Sequence, residues 1–253
     1  MRPTLGLAVA LAAATLIVAP AFADRMALWT IVHERCVPHF IAGAGPAPCE
    51  SVDLARGEDE GVALLKDRVG VAQFLAIPTR RITGIEDPLA LAPEAAAYFA
   101  FAWAGRRAVE ARLGRPLPRE DVGIAVNSEP ARSQDQLHLH VDCMDEEVVA
   151  ALAGVKDSLD AQWRVTAEPL KGRRYWARRL DSADLSDAAP FRLLADGVKG
   201  AREQMGLETL AAVGATFAGE PGFVLLADRA GDGAGGHAED LQDHDCAIAR
   251  PAP

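Results

Sequence analysis

Glycine and proline are too scarce for a low-complexity or collagen-like chain. The 253 residues include 22 glycines and 16 prolines, and no short repeat recurs along them. These absences exclude a fibrous polymer and an array of short repeats. The overall composition is half apolar and a quarter charged, which is ordinary for a globular protein. We therefore expect a buried core, in one large domain or in two tightly packed halves.

Positive charge is also in short supply. The chain has 26 lysines and arginines against 36 acidic residues, a net charge of −10. A general nucleic-acid binder must meet the phosphate backbone with clustered cations, so this balance disfavours that class of protein. An anionic ligand would have to be bound by a local group of polar and cationic side chains.

Only one long apolar run is present, and it lies at the N-terminus. Residues 5–18 carry no charge, Arg2 precedes them, and Ala21-Phe22-Ala23 matches a signal-peptidase site. We predict that 1–23 is an export signal. A retained membrane anchor is the alternative, because the run extended to Phe22 is long enough to span a bilayer. Either way, the rest of the chain lies on the extracytoplasmic side.

Cysteine is limited to four residues: Cys36, Cys49, Cys143 and Cys246. Disulfides persist in exported proteins, and four cysteines allow three pairings. We favour Cys36 with Cys49, which closes a short loop, and Cys143 with Cys246, which ties a tail of low apolar content to the rest of the chain. Free thiols are the alternative.

The hydrophobic pattern predicts the same series of elements twice. After a helix at 27–39, the first half contains a hairpin, a helix and two strands, at 61–67, 72–78, 94–113, 122–126 and 137–141. The second half repeats the order at 162–168, 174–180, 190–205, 210–217 and 222–228. This order predicts an α+β fold in which helices pack on an antiparallel sheet, with halves at 24–150 and 151–253.

The last strands of the two halves share an apolar skeleton and a final aspartate. Residues 136–142 read Gln-Leu-His-Leu-His-Val-Asp, and residues 222–228 read Gly-Phe-Val-Leu-Leu-Ala-Asp. Val224 and Leu226 stand where the first copy has histidines. We interpret this as an internal duplication whose second half is degenerate. Coincidence is the alternative, since short apolar strands often resemble one another.

The histidine strand is the main candidate for chemistry. Side chains alternate along a strand, so Gln136, His138, His140 and Asp142 share one face and the apolar residues share the other. Buried imidazoles need polar partners, which makes two of them on one face costly unless they have a function. The preceding segment 127–134 is rich in donors suited to a phosphate.

This strand resembles the motif of the histidine-triad superfamily of nucleotide hydrolases and transferases. That motif is His-apolar-His-apolar-His after an Asn and a Gln-Ser/Thr pair, and here it reads Gln136-Leu137-His138-Leu139-His140, with Asn127 and Ser133 at matching places. Within the superfamily, segments 27–38, 81–86, 132–134 and 241–246 are similar to the bacterial CDP-diacylglycerol pyrophosphatase family.

The resemblance implies a catalytic mechanism. His138 would be the nucleophile, attacking a phosphorus to give a nucleotidyl-histidine that water then hydrolyses. His140 would orient His138 through its ring and its backbone carbonyl. Gln136 replaces the first histidine of the motif; its amide can donate to a phosphoryl oxygen but cannot transfer a proton.

The resemblance also implies a binding site for the substrate. Asn127, Arg132 and Ser133 would hold phosphates, Asp67 would bind ribose hydroxyls, and Lys66 or Arg80 would meet the second phosphate. The expected reaction converts CDP-diacylglycerol to CMP and phosphatidate at the periplasmic face of the inner membrane, without metal or cofactor. The two halves could then replace a pair of subunits in a monomer.

Two other functions fit the same strand. An exported zinc-binding module could use His138, His140 and Asp142, because H-x-H on a strand is also a zinc arrangement. A non-catalytic nucleotide-binding protein would explain the loss of a histidine at Gln136. Activity in the presence of a chelator separates these functions from the hydrolase.

Two further segments carry chemistry of their own. Residues 171–179 contain five cations and two aromatics without an acid, which suits anionic lipid headgroups, although an ordinary exposed hairpin strand is an equal alternative. His244 lies between two aspartates and could bind a cation; we favour a solvated tail tied by Cys246. His33 and His39 are predicted to be structural.

Overall fold

A computed structural model describes residues 24–231 and 235–250. The predicted export signal at 1–23 lies outside these residues. Within them, no helix combines the length and apolar character that crossing a membrane requires.

Nine strands and six α-helices form the main elements of the described chain. The strands are β1 (Ser51–Asp53), β2 (Val62–Lys66), β3 (Phe74–Pro78), β4 (Val122–Val126), β5 (Leu139–Cys143), β6 (Arg164–Val165), β7 (Trp176–Leu180), β8 (Glu208–Phe217) and β9 (Glu220–Arg229). The helices are α1 (Ala27–Ile31), α2 (Val37–Ile41), α3 (Ala96–Ala104), α4 (Arg106–Leu113), α5 (Glu146–Val155) and α6 (Pro190–Gly197).

Shorter helical segments connect these elements. A π-helical segment, Val32–Cys36, joins α1 to α2. The 3₁₀ segments are Glu58–Glu60, Pro88–Leu91, Pro93–Ala95, Arg119–Asp121, Lys156–Ser158, Arg202–Leu207, Ala238–Leu241 and Ala247–Ala249.

The strands form one antiparallel sheet in the order β1-β2-β3-β5-β4-β8-β9-β7-β6. Each predicted half supplies a hairpin, β2-β3 or β6-β7, followed by a strand pair in reversed chain order, β5-β4 or β9-β8. The halves meet where β4 pairs with β8, with Ile124 opposite Ala212. This confirms the predicted α+β class, and the matching strand order is what a duplication requires.

One face of the sheet is covered by α3, α4 and α6. Alternate strand residues point into this core, including Leu139 and Val141 of β5 and Phe223 and Leu225 of β9. Trp103 of α3 packs edge-on against Phe223, with ring centroids 4.7 Å apart. The largest apolar cluster therefore runs under both halves and joins them.

The opposite face carries two separate apolar clusters. One packs the N-terminal helical segment on β2 and β3 and includes Val32, Leu75 and Ile77. The other packs α5 on β4, β8 and β9 and includes Val148 and Leu226. The histidine strand lies between the two clusters: in the sheet register, His140 is flanked by Leu75 on β3 and Ala125 on β4.

Both predicted disulfides are present. Cys36 is bonded to Cys49 in the N-terminal cluster, and Cys143 at the end of β5 is bonded to Cys246 in the C-terminal tail. The pairing of each cysteine is therefore confirmed. Disulfides of this kind indicate a protein that folds outside the cytoplasm.

Three predicted boundaries are wrong. The helix expected at 94–113 is divided at Gly105, where a Cβ atom would lie 2.9 Å from the Leu64 side chain. The helix expected at 190–205 ends at Gly197, where Val198 is extended and the Trp163 ring leaves no space for a side chain.

The third error concerns the histidine strand, predicted at 137–141 and found two residues later. The Leu137 amide donates to the carbonyl of Ile82, outside the ladder between β3 and β5. Residues 136–138 are therefore held by the segment that follows β3. His138 lies just before the regular strand begins.

Candidate active site

The predicted alternation of β5 holds in the structure. Leu137, Leu139, Val141 and Cys143 lie in the core beneath the helices. His138, His140 and Asp142 are also buried, yet they belong to none of the three apolar clusters. A polar strip therefore lies between the two clusters on the other face of the sheet.

The backbone carbonyl of Gln136 holds His138 in one tautomer. Its side chain is buried, with 7% of its surface exposed, and its Nδ1 lies 2.6 Å from the carbonyl oxygen of Gln136. Because a carbonyl only accepts, Nδ1 carries the proton and donates it, which leaves a lone pair on Nε2. Burial and the neighbouring His140 lower the pKa of His138 to about 3. The ring is therefore neutral at physiological pH.

His140 lies beside His138 and has one partnered nitrogen. The ring centroids are 4.8 Å apart, and the rings meet edge-on. His140 Nδ1 lies 3.1 Å from Oε1 of Glu239 in the C-terminal tail. Its Nε2 is buried and has no hydrogen-bond partner among the residues the structure describes. A buried polar atom without a partner indicates a place for a ligand or an ordered water.

Glu239 is the centre of this polar group. Its Oε2 accepts a hydrogen bond from Asn127 Nδ2 at 2.8 Å, and its backbone amide donates to Asn127 Oδ1. Its Oε1 also accepts from Gln73 at 3.1 Å. Burial by itself raises the pKa of the Glu239 carboxyl, but hydrogen bonds from His140 and His244 hold it well below its usual range. The carboxylate is therefore ionised beside the histidine pair.

His244 bridges two carboxylates. Its Nδ1 is 2.9 Å from Asp142 Oδ2, and its Nε2 is 3.3 Å from Glu239 Oε1. These hydrogen bonds raise the pKa of His244 to about 10, so both nitrogens donate at neutral pH. Burial raises the pKa of Asp142, and the bond from His244 opposes that shift. The prediction of a solvated tail at His244 is therefore wrong.

Gln136 is oriented away from the expected phosphate-binding role. Its amide nitrogen donates to the carbonyls of Pro78 and Arg80, at 3.0 and 2.9 Å, and its oxygen accepts from Arg81. The side chain is fully buried. Both amide hydrogens are used by the backbone, so Gln136 clamps its own segment and the carbonyl that holds His138.

The carbonyl that orients His138 was also assigned to the wrong residue. His140 was expected to supply it, but its carbonyl accepts from the Gln242 amide at 3.2 Å. The carbonyl of Gln136 performs that task, because the chain at 136–138 leaves the regular ladder and turns this oxygen toward the ring.

The predicted phosphate-binding loop is engaged within the protein. Arg132 is buried and makes two hydrogen bonds with Glu86, at 2.6 and 2.8 Å, and two more with Asp135. Asn127 is committed to Glu239. Ser133 is exposed. Of these three predicted ligands, only Ser133 points a polar group outward.

The predicted ribose and second-phosphate ligands are spread over the sheet. Lys66 donates to the carbonyls of Asp67 and Gly70, within the loop between β2 and β3. The Asp67 carboxylate accepts a hydrogen bond from the Val69 amide of the same loop. This loop also contacts the C-terminal tail, because the Val71 amide donates to the His244 carbonyl. Arg80 follows the far end of β3 and is half-buried, and its carbonyl accepts from the Gln136 amide.

The expected zinc ligands do not converge. The one group of three ligand-type residues in the described chain is Asp142, Cys143 and Cys246, and its two sulfurs are bonded to each other. His138, His140 and Asp142 form no such group. A disulfide offers no thiolate to a metal, so this geometry does not support the zinc-binding alternative.

The cationic segment 171–179 does not form a single surface. Arg178 lies over Trp163 at the helical face, and Arg179 lies over Phe217 at the other face, because they are neighbours on β7. Arg173 is paired with Asp228 at 2.8 Å. Arg178 and Arg179 thus lie on opposite faces of the sheet, and the charge of Arg173 is neutralised by Asp228.

Sequence reasoning missed Glu239 and the role of His244. Nothing in the local sequence separates Glu239 from the other acids of the tail, Asp240, Asp243 and Asp245. His244 had one usable signal, since it lies two residues before Cys246, and that cysteine was predicted to be tied to the end of the histidine strand. Distance along the chain concealed the contact.

Comparison with known proteins places the chain in a family. The family model described as CDP-diacylglycerol pyrophosphatase matches residues 23–250. A protein of Yersinia pestis named CDP-diacylglycerol pyrophosphatase is 40% identical over 240 residues, covering 93% of this chain and 90% of that protein. The matched range of the family model includes the histidine strand and the tail that contacts it, and the chain belongs to the CDP-diacylglycerol pyrophosphatase family.

Proposed function

We propose that this protein hydrolyses the diphosphate of CDP-diacylglycerol to CMP and phosphatidate, with His138 as the nucleophile. The observation that carries the proposal is the state of the His138 ring. It is neutral, and Nδ1–H is donated to the Gln136 carbonyl, so the lone pair is on Nε2. A neutral imidazole of fixed tautomer is ready for attack without first losing a proton.

The reaction proceeds in two steps. His138 Nε2 attacks the phosphorus that carries cytidine, a nitrogen–phosphorus bond forms, and the bridging oxygen leaves with phosphatidate. Water then attacks the same phosphorus, the nitrogen–phosphorus bond breaks, and CMP is released while His138 returns to its neutral form. Dividing the hydrolysis in this way replaces one difficult displacement by two easier ones.

His140 is proposed to stabilise the developing charge. Its buried Nε2 has no partner in the described residues, while its Nδ1 faces the Glu239 carboxylate. When the ring carries a proton on each nitrogen, Nε2–H is a donor for a phosphoryl oxygen. A preorganised donor in a water-poor site stabilises the transition state more than an exposed one does.

The binding roles of Asp67, Lys66, Arg80, Asn127, Arg132 and Ser133 remain part of this proposal. Ser133 is exposed, and Asp67, Lys66 and Arg80 are half-buried, so these four are the accessible members. Arg132 and Asn127 support the site by ordering the loop and Glu239 rather than through free donors. Gln136 supports His138 in the same indirect way.

Location and domain organisation complete the proposal. We place the enzyme on the periplasmic side, at the surface of the membrane that holds its lipid substrate, as a monomer whose second half stands where a second subunit would. The two disulfides support export, and the matching strand order supports the duplication. Lys171 and Arg174 are the exposed cations of the 171–179 segment, and because Lys171 is paired with Asp145, Arg174 is the one proposed to contact lipid headgroups.

The decisive experiment looks for the covalent intermediate. Purified protein is mixed with CDP-diacylglycerol labelled in the cytidine, in the presence of a chelator, and quenched within the first turnover. We expect an acid-labile cytidylyl group on His138 and release of CMP and phosphatidate. A folded His138→Ala protein with wild-type turnover, or activity that requires added zinc, would refute the proposal.

A further inference from the structure

The C-terminal tail reaches into the histidine site from the other half of the molecule. Thr209 on β8 accepts from the Ala238 amide, and Leu241 packs in the apolar cluster under α5. Glu239 lies between these two anchors and faces His140. Further along, the Asp243 amide donates to the Cys143 carbonyl, and Cys246 is bonded to Cys143. The tail is thus fixed on both sides of its two functional groups.

We propose that Glu239 and His244 are positioning residues for the reaction, and that the tail carries them as a clamp on His140. Glu239 holds the Nδ1 edge of His140, and His244 holds Glu239 and Asp142 together. This inference rests on the proposed function, because it concerns the same histidine pair.

Charge balance explains why both groups are needed. Asp142 is fully buried and Glu239 is largely so, and two carboxylates this close to one ring would repel each other. His244, protonated between them, supplies the compensating positive charge. Without His244, Glu239 would take up a proton or turn to solvent, and His140 would lose its partner. Without Glu239, His140 could rotate and present either nitrogen.

His244 itself is not the proton donor to the leaving group. Both of its nitrogens already donate, one to Asp142 and one to Glu239, and the bonds that raise its pKa also oppose proton release. Its action is electrostatic and passes through Glu239. Loss of this charge should therefore reduce turnover while leaving the affinity for substrate nearly unchanged.

The charged groups near His244 determine how activity depends on pH. Those on the surrounding elements are Asp142 and His140 of β5, Glu239 and Asp240 of the tail, Lys171 before β7, and Lys66, Asp67 and Arg68 of the loop between β2 and β3, with Asp243 and Asp245 beside it in sequence. Among the described residues, Asp142 and Glu239 are the ones whose side chains bond to the His244 ring. Replacing Glu239 removes one of two bonded anions, so His244 should lose its proton at a lower pH.

The test compares Glu239→Gln and His244→Ala with two controls from the same tail. Asp240→Asn removes an exposed neighbouring charge, and His237→Asn removes an exposed histidine. For Glu239→Gln we expect kcat to fall about 100-fold with KM within about threefold, the size typical of losing a hydrogen-bond partner that orients a functional side chain. The alkaline limb of the kcat profile should move toward neutral pH by at least about one unit. The controls should retain wild-type kinetics.

Added imidazole tests the charge directly. Part of His244 is open to solvent, at the edge of a cavity it shares with Lys171 and Gln242, so a small cation can enter the space left by His244→Ala. We expect imidazole to restore at least a tenth of the lost kcat. Circular dichroism and the urea midpoint show whether each variant is folded.

The disulfide offers an independent way to release the clamp. Cys143→Ala with Cys246→Ala should reduce kcat as His244→Ala does, whereas Cys36→Ala with Cys49→Ala should not, because that bond lies in the N-terminal cluster. A folded Glu239→Gln protein with wild-type kcat would overturn the clamp. So would a loss of kcat in which the alkaline limb of the Glu239→Gln profile does not move and imidazole does not rescue His244→Ala. An inactive His138→Ala protein alongside those results leaves the proposed function standing.

Discussion

The strands β5 and β9 occupy matching places in the two halves and differ in what covers them. In both, alternate residues enter the shared core under the helices: Leu139 and Val141 in one, Leu225 and Ala227 in the other. On the opposite face, Val224 and Leu226 join the apolar cluster under α5, while His140 meets Glu239 of the tail. The same strand geometry therefore supports either a core or a polar site.

The final aspartates of the two strands sharpen this comparison. Asp142 is bonded to His244 of the tail, and Asp228 is bonded to Arg173 of its own half. Both are buried carboxylates with a cationic partner, as burial of a charge requires. The tail that follows β9 crosses to the first half and brings polar groups to β5, whereas α5, which follows β5, packs apolar side chains on β8 and β9.

Replacing the two histidines by the residues at the matching positions of β9 should have the largest effect on turnover. His138→Val with His140→Leu removes the proposed nucleophile and its neighbour, and we expect turnover to fall by at least about 10³-fold. Activity on CDP-diacylglycerol and the urea midpoint measure the result. Val224→Ala is the matched control in the second half, with near wild-type turnover expected. A folded double variant with more than a tenth of wild-type activity would contradict the assignment.

The reverse exchange should cost stability without creating a site. Val224→His with Leu226→His places two imidazoles among apolar side chains, where the described residues offer no tail carboxylate. Buried polar groups without partners cost about 1–3 kcal/mol each, so we expect unfolding to become easier by about 2–4 kcal/mol. Urea denaturation gives this value. New activity in a His138→Ala background would mean that the strand alone suffices.

Acid should destabilise the histidine half through His138. Its pKa in the folded protein is about 3, against 6.5 in the unfolded chain, so only the unfolded state binds the proton between these values. Stability is therefore retained above pH 6.5 and falls as the pH drops toward 3, by about 3 kcal/mol at pH 4.5. Urea titrations at several pH values should show a smaller slope for His138→Val. Equal slopes would place the titrating group elsewhere.

Removing the Gln136 side chain should have the smallest effect. Gln136→Ala frees the carbonyls of Pro78 and Arg80 and loosens the segment that orients His138. We expect a stability loss of about 1–3 kcal/mol and a kcat decrease of about tenfold. Ser133→Ala, in the same loop but exposed, is a control for stability. A decrease in kcat as large as that of His138→Ala would mean that Gln136 acts directly on the substrate.

Hydrophobic periodicity predicted the strand pairs, the α+β class and the two faces of β5, because each depends on neighbours within a few residues. It misjudged the helices at 94–113 and 190–205, since Gly105 and Gly197 end them through contacts with Leu64 and Trp163 on other elements. The family resemblance, in turn, implied that Gln136 and Arg132 are ligands. Their residue types suit phosphate, but backbone carbonyls and the acids Glu86 and Asp135 engage them first.

By itself, the sequence determined which residues alternate toward the core and indicated which cysteines pair, and its resemblance to a known family marked His138 as the proposed nucleophile. Each of these follows from short-range geometry or from a motif that the family shares. Only the tertiary structure decided which groups complete the site. Glu239 lies 99 residues beyond His140 in the chain, and it reaches the ring because the tail crosses β8 and is bonded to the end of β5.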